Sequence, residues 1–159
     1  MSSKLPEFFA SNFIDVECGE RVKIGTPSNI YGCTLADDVF VGPFVEIQRG
    51  VKIGPRTRVQ SHSFICELVE IGSDCFIGHG VMFINDTFSV SGGPARGDRR
   101  KWRKTKLGEN VSVGSNATIL PVSICENVII GAGAVVTKDI NSPGIYIGNP
   151  AVRVRGDHD

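Results

Sequence analysis

An aliphatic residue recurs at every sixth position from Val41 through Ile47, Ile53, Val59, Ile65 and Ile71 to Ile77, and Phe83 continues the series. Four residues after each of the first seven comes a small or β-branched residue: Val45, Val51, Thr57, Ser63, Val69, Cys75 and Val81. Glycine often follows the aliphatic residue directly, as at Gly42, Gly54, Gly72 and Gly78. A period of six is neither that of an α-helix nor simple strand alternation. It describes a short extended stretch, then a corner, with the aliphatic residue inward on each stretch. Three stretches per turn make a triangular coil. Stacked coils pair as parallel strands roughly 4.8 Å apart. The glycine either relieves crowding at the corner or supplies a backbone angle that a side chain would penalise.

The pattern returns at Leu107, Val113 and Ile119, shortens by one residue to Ile124, and continues at Ile130 and Val136; upstream it is visible at Ile24, Ile30 and Leu35. About sixteen hexads result, and internal repeats of this kind mean a solenoid whose core forms only by stacking. The expected organisation is one all-β domain. Coils cover about 20–84 and 107–140, an inserted basic loop covers 85–106, and a C-terminal cap and tail cover 141–159. A solenoid needs covers at both ends. Leu5, Phe8, Phe9 and Phe13 are expected to supply one, and the stretch NSPGIYIGNPAVRVR, with its two prolines, to fold back over the last coil.

Between Ile84 and Leu107 the repeat stops. The intervening residues include Arg96, Arg99, Arg100, Lys101, Arg103, Lys104 and Lys106 against only Asp86 and Asp98. Lysine plus arginine equal aspartate plus glutamate over the whole chain, 17 each. The molecule as a whole therefore does not read as a nucleic-acid binder. Positive charge gathered in one loop suits a phosphate-bearing ligand, and Trp102, the only tryptophan, is placed to stack on a base or a neighbouring subunit. A solvated charge run is the competing reading. No apolar run approaches membrane-spanning length and no signal sequence opens the chain, so a cytoplasmic location is expected, with no membrane partner. Five cysteines without a CxxC pair read as reduced structural thiols.

The segments VGPFVEIQRGVKIG, QSHSFICELVEIG, IGHGVMFIND and GAGAVVTKDI…GIYIGNPA resemble the hexapeptide-repeat acyltransferases, over about Val41 to Arg153. Within that family the chain looks most like the N-acetyltransferases of nucleotide-linked 3-amino-deoxysugars, which serve O-antigen and related surface-glycan pathways. Family members often follow FIND with a proline-arginine pair, whereas Asp86 here is followed by TFSVSGGPARGDRRKW, a difference that bears on the acceptor. The resemblance implies a left-handed parallel β-helix. It also implies acetyl-CoA as co-substrate without a metal, and a homotrimer with active sites between neighbouring subunits. Handedness comes from the resemblance alone, since parallel crossovers are usually right-handed.

By the same resemblance His79 and Asn85 face the acceptor amine or the thioester carbonyl. Their spacing of six puts them on successive faces and, as expected from equivalent positions, near one edge. His79 is then the base or hydrogen-bond acceptor, unless it is a structural histidine bonded to backbone. Asn85 orients the amine or polarises the carbonyl, or else simply opens the loop as a turn residue. His62, Asp86, Arg96 and Trp102 are assigned to substrate, Asp86 more as a loop anchor than as a chemical group. Coenzyme A is expected along coil edges, near backbone groups of Gly114, Ser115, Ala132 and Gly133, with Lys138, Arg153 and Arg155 toward its phosphates. An acetyl-cysteine route is disfavoured because Cys75 points inward and Cys66 and Cys125 lack a nearby histidine. Three alternatives remain: an O-acetyltransferase acting on a sugar hydroxyl, a non-enzymatic scaffold, and a zinc site. The last would need three converging histidines from His62, His79 and His158, and His62 and His79 occupy different hexad positions.

Overall fold

A computed structural model describes residues 13–88 and 92–154. The chain forms a left-handed parallel β-helix of about seven turns. Its cross-section is a triangle, and each side is one parallel sheet. The first face stacks Phe13–Ile14, Asn29–Tyr31, Glu46–Ile47, Phe64–Ile65, Met82–Phe83, Thr118–Ile119 and Val135–Val136. The second stacks Glu17–Cys18, Thr34–Leu35, Lys52–Ile53, Val69–Ile71, Thr105–Leu107 and Ser123–Ile124. The third runs from Lys23–Ile24 through Phe40–Val41, Arg58–Val59, Phe76–Ile77 and Ser112–Val113 to Val128–Ile130, and ends in a hairpin.

The hexad explains this shape residue by residue. The second residue of most strands is the aliphatic one, and it turns inward: Ile30, Ile47, Ile65, Phe83 and Ile119 on the first face are all fully buried. The residue before it points out, so strands of two residues suffice. The small residue four positions on fills the corner, and where it is Thr57 or Ser63 its hydroxyl serves the ladder. Thr57 Oγ1 donates to the Gly72 carbonyl at 2.8 Å and accepts from the Cys75 N–H at 3.0 Å. Ser63 does the same with Gly78 and Val81, at 2.8 and 3.3 Å.

Crowding, rather than backbone angle, is what the glycine after the aliphatic residue relieves. A Cβ on Gly72 would lie 2.5 Å from the Gly108 carbonyl oxygen, and one on Gly78 would lie 2.7 Å from that of Val113. Positive φ falls elsewhere in the corners. It recurs along the edge that joins the second face to the third, at Arg21, Asp38, Arg56, Asp74, Asn110 and Asn127. That column is paired in steps: Arg21 with Asp38, Arg56 with Asp74, and Asn110 with Asn127. Arg56 beside Asp74, and Arg21 beside Asp38, hold those carboxyls below the usual carboxylate range.

Both ends differ from the sequence expectation. The coils begin at Phe13, not near residue 20: Phe13 stands in the first strand, in register with the inward Ile30 and half exposed at the open end of the prism. Ile14, in register with Tyr31, is the residue of that strand that turns out of the prism. Leu5, Phe8 and Phe9 lie outside the described residues. At the other end, Gly144–Ile147 adds to the third face parallel to Val128–Ile130, and Val152–Val154 pairs back on it antiparallel. Tyr146 from this hairpin packs against the core. Among the described residues no helix is long and apolar enough to cross a membrane.

Candidate active site

Two of the three prism edges carry the residues singled out by sequence, and they are different edges. Corners between the third and first faces hold Ser61 and His62, then His79, then Gly114 and Ser115, then Ala132 and Gly133, in successive coils. The backbone ladder fixes the stacking: the N–H of Gly80 donates to the Ser61 carbonyl, that of Asn116 to His79, and that of Gly133 to Ser115, at 3.0, 2.8 and 2.8 Å. His79 is exposed, and its Nδ1 lies 2.8 Å from Ser61 Oγ. It stacks over Ser61 and not over His62. His62 instead lies face to face with Phe44 one coil below, ring centroids 4.9 Å apart and planes 13° from parallel.

Asn85 and Asp86 lie at the next corner, between the first face and the second. Equivalent hexad positions fall on successive corners, so six residues of nearly extended chain, up to about 20 Å, separate Asn85 from His79. One chain does not bring the two near one edge, contrary to the sequence expectation. Asn85 instead fastens the excursion. Its Nδ2 donates to the Glu67 carbonyl at 3.2 Å, and its own carbonyl accepts from the Arg103 N–H at 3.0 Å. Asp86 is also a fastener: its carboxylate accepts from the N–H groups of Phe88 and Ala95, at 3.0 and 2.7 Å. Glu67, which sequence reading passed over, completes the anchor through an ion pair with Arg99. Its position two residues after the inward Ile65, in the coil below Asn85, was the available signal.

The excursion folds over a cleft of about 350 Å³ lined by Asp86, Phe88, Pro94, Arg100, Trp102 and Arg103 among others. Trp102 is half-buried there, and a short 3₁₀ turn, Arg99–Lys101, is capped by Asp98. Arg99 and Arg100 are each paired with a carboxylate, through Glu67 and Asp98. Among the described residues Arg96, Lys101, Arg103 and Lys104 have no such partner. Arg96 stands exposed outside the cleft lining. Lys138 lies on the same edge as Asn85, two residues after the inward Val136, while Arg153 sits in the terminal hairpin beside Gly144. Arg155 and His158 lie outside the described residues. No group of three or more histidine, cysteine or acidic side chains converges as metal ligands do, among the described residues.

The buried thiols are poor nucleophiles. Burial pushes Cys33 up to about 11 and Cys66 up to about 12, and raises Cys75 as well. A thiolate there is costly, which leaves the exposed imidazole of His79 as the better-placed group for proton transfer.

A three-sided prism of parallel two-residue strands, set by a six-residue repeat and interrupted by one basic excursion, is the architecture of the hexapeptide-repeat solenoids. Family comparison agrees: the bacterial transferase hexapeptide family (six repeats) matches residues 32–67, and the hexapeptide repeat of succinyl-transferase matches residues 104–138. The chain carries hexapeptide repeats of the bacterial transferase type on both sides of the excursion. The bifunctional protein GlmU of Streptococcus uberis is 34% identical over 142 residues, covering 85% of this chain and 31% of that protein. The chain thus spans about a third of the length of the curated relatives it matches first. Among solved structures, a hexapeptide transferase family protein from Anaplasma phagocytophilum superimposes with a TM-score of 0.69 at 17% identity, over 90% of this chain and 81% of that one. A mutant perosamine N-acetyltransferase from Caulobacter crescentus, in complex with CoA and GDP-perosamine, gives 0.61 at 22% identity, over 90% and 54%.

Proposed function

We propose that the protein is an acetyl-CoA-dependent N-acetyltransferase. Its acceptor is the amino group, at C3, of a nucleotide-linked deoxyamino sugar used in cytoplasmic steps of surface-glycan biosynthesis, of O-antigen or S-layer type. The observation that carries this reading is one edge of the prism. His79 stands exposed there, one coil below Gly114–Ser115 and two below Ala132–Gly133, so a proton acceptor and a run of small corner residues share a single line. A pantetheine arm along that line would bring its thioester to His79, with Arg153, and by sequence Arg155, toward the coenzyme phosphates; Lys138, on the Asn85 edge, would reach them from a neighbouring subunit.

The chemistry asks little of the protein beyond placement. An amine on an electron-poor sugar carbon titrates near an α-amino group, at roughly 8, so much of it is already neutral. Its lone pair forms the new C–N bond as the C–S bond breaks and coenzyme A leaves as the thiolate. The amine proton passes to His79 Nε2 and from there to the thiolate sulfur. Positioning of amine and thioester supplies much of the rate. Transfer is direct, because the buried thiols offer no acetyl-enzyme step.

Asn85 and the basic cleft meet His79 only across a subunit boundary in this reading. Exposed Phe44, Phe76, Met82, Ile129 and Ile145 lie along the His79 edge and the faces on either side of it. An apolar surface of that kind suits a second copy, and a homotrimer would set the His79 edge of one subunit against the excursion of the next. The cleft residues Trp102 and Arg103, with Arg96 outside, then take the nucleotide base and phosphates, and His62 lies toward the same ligand.

A thiol-release assay with acetyl-CoA tests this, run against nucleotide-linked 3-amino and 4-amino deoxysugars and matching hydroxy sugars. Release with the 3-amino sugar, and a fall of about a hundredfold or more in His79→Gln, is expected. Release only with a hydroxyl acceptor would refute N-acetylation. Silence throughout, with no acetyl-CoA binding by calorimetry, would leave the solenoid a scaffold.

A further inference from the structure

His79 has two ring nitrogens, and among the described residues only one has a hydrogen-bond partner. Nδ1 is 2.8 Å from Ser61 Oγ, and no carboxylate of the described residues bonds the ring. The contact is rigidly placed. The Ser61 carbonyl accepts from the Gly80 N–H at 3.0 Å, the residue after His79. The following residue, His62, donates its own N–H to the Pro43 carbonyl and stacks on Phe44. Below, a Cβ on Gly42 would come within 2.8 Å of the Ser61 nitrogen, so the coils are already in close contact there. Both ends of the Ser61–His79 contact are therefore held by backbone that has nowhere to go. His79 is exposed and contributes nothing to the core, so the contact does not serve packing.

Neutral imidazole carries one proton, and the partner of one nitrogen decides which nitrogen keeps it. If Ser61 donates, Nε2 holds the proton and cannot accept another. If Ser61 accepts from Nδ1–H, the lone pair is on Nε2, the other nitrogen of an exposed ring. We propose that Ser61 is a positioning residue that accepts from His79 Nδ1–H and so presents the Nε2 lone pair to the acceptor amine. This rests on His79 being the base of the proposed transfer. Ser61 also fixes the ring's rotation, and its oxygen stabilises the Nδ1–H of the imidazolium that forms when Nε2 takes the amine proton. The hydroxyl fills here the place that a carboxylate holds in a Ser-His-Asp arrangement, with weaker electrostatics and the same control of tautomer.

The tautomer can be read without any substrate. In protein labelled with ¹⁵N-histidine, above the pH at which the ring is neutral, the His79 resonances are identified by their absence in His79→Gln. The wild type is expected to show the Nδ1–H form, Ser61→Ala to revert to the Nε2–H form that free imidazole side chains favour, and Ser61→Thr to restore the wild-type pattern. In the acetyl-transfer assay Ser61→Ala is expected to lower kcat about tenfold with KM for acetyl-CoA unchanged, and Ser61→Thr to recover most of it. An Nε2–H wild type, a Ser61→Ala spectrum identical to wild type, or a shifted tautomer with unchanged kcat would each overturn the proposal. If no substrate is turned over, the function above fails, while the spectra still decide whether Ser61 sets the tautomer.

Discussion

Replacing Gly78 with alanine perturbs the scaffold and the candidate site through one atom. The added Cβ would sit 2.7 Å from the Val113 carbonyl oxygen, 2.8 Å from the Ser115 nitrogen and 2.9 Å from the Gly114 carbon. All three are backbone, so no side chain can swing aside. Reaching tolerable separations requires the two coils to part by roughly 0.3–0.7 Å at that corner, against a close-packed interior. The bonds that resist are the Gly78 N–H to Val113 carbonyl at 2.8 Å and the Phe76 N–H to Val111 carbonyl at 2.9 Å. Overpacking of this kind costs about 1–3 kcal/mol. At about 2 kcal/mol the melting temperature falls by roughly 4–8 °C for a chain of this length. The comparison is Gly50→Asn, a corner with φ of +76° and nothing within 4 Å of an added Cβ, where asparagine tolerates the angle and stability should hold within about 0.5 kcal/mol. Thermal and guanidinium unfolding followed by circular dichroism measures both. Because the displaced atoms belong to Gly114 and Ser115, KM for acetyl-CoA should also rise. Equal stability of the two variants would refute the crowding argument for the hexad glycine.

Thr57→Val keeps the shape but strips the hydroxyl that serves Gly72 and Cys75, and should cost about 1–3 kcal/mol by chemical denaturation. Asp74 has its carboxyl depressed by Arg56, so the pair's contribution is fully present above the ordinary carboxylate range and is lost as pH falls through the lowered value. Arg56→Gln should therefore raise the acid-unfolding midpoint, and the difference should shrink in high salt. In native protein at pH 8, iodoacetamide should label Cys18 and Cys125, and reach Cys33, Cys66 and Cys75 only after unfolding; mass spectrometry of early labelling would show otherwise if those thiols were open.

The coil was legible because one residue in six is inward and the chain repeats that choice. Each expected inward position from Ile30 to Val136 is buried, including Leu35 and Ile124, which follow the five-residue steps. The excursion was legible as an absence of repeat, and Trp102 and Arg103 line its cleft as charge and aromatic content suggested. What failed was convergence. His79 and Asn85 share a hexad position, and a shared position on consecutive hexads means consecutive corners, a full prism side apart. Phe13 read as a cover from hydrophobicity alone, whereas what places it at the open end of the inward column is its register with Ile30, a pairing across seventeen residues. The Ser61–His79 contact was hidden by its separation of eighteen residues, one coil, which a scan for local motifs does not span.

On the second face, Val69–Ile71 pairs directly with Thr105–Leu107, and on the third and first faces Ile77 meets Val113 and Phe83 meets Ile119 in the same register. The coils close up as though the chain between them had never left. A solenoid built this way treats its excursion as cargo. Its length and chemistry can be rewritten at a single corner while the rungs above and below keep their fit, so the excursion is free to diverge at a rate the scaffold does not share.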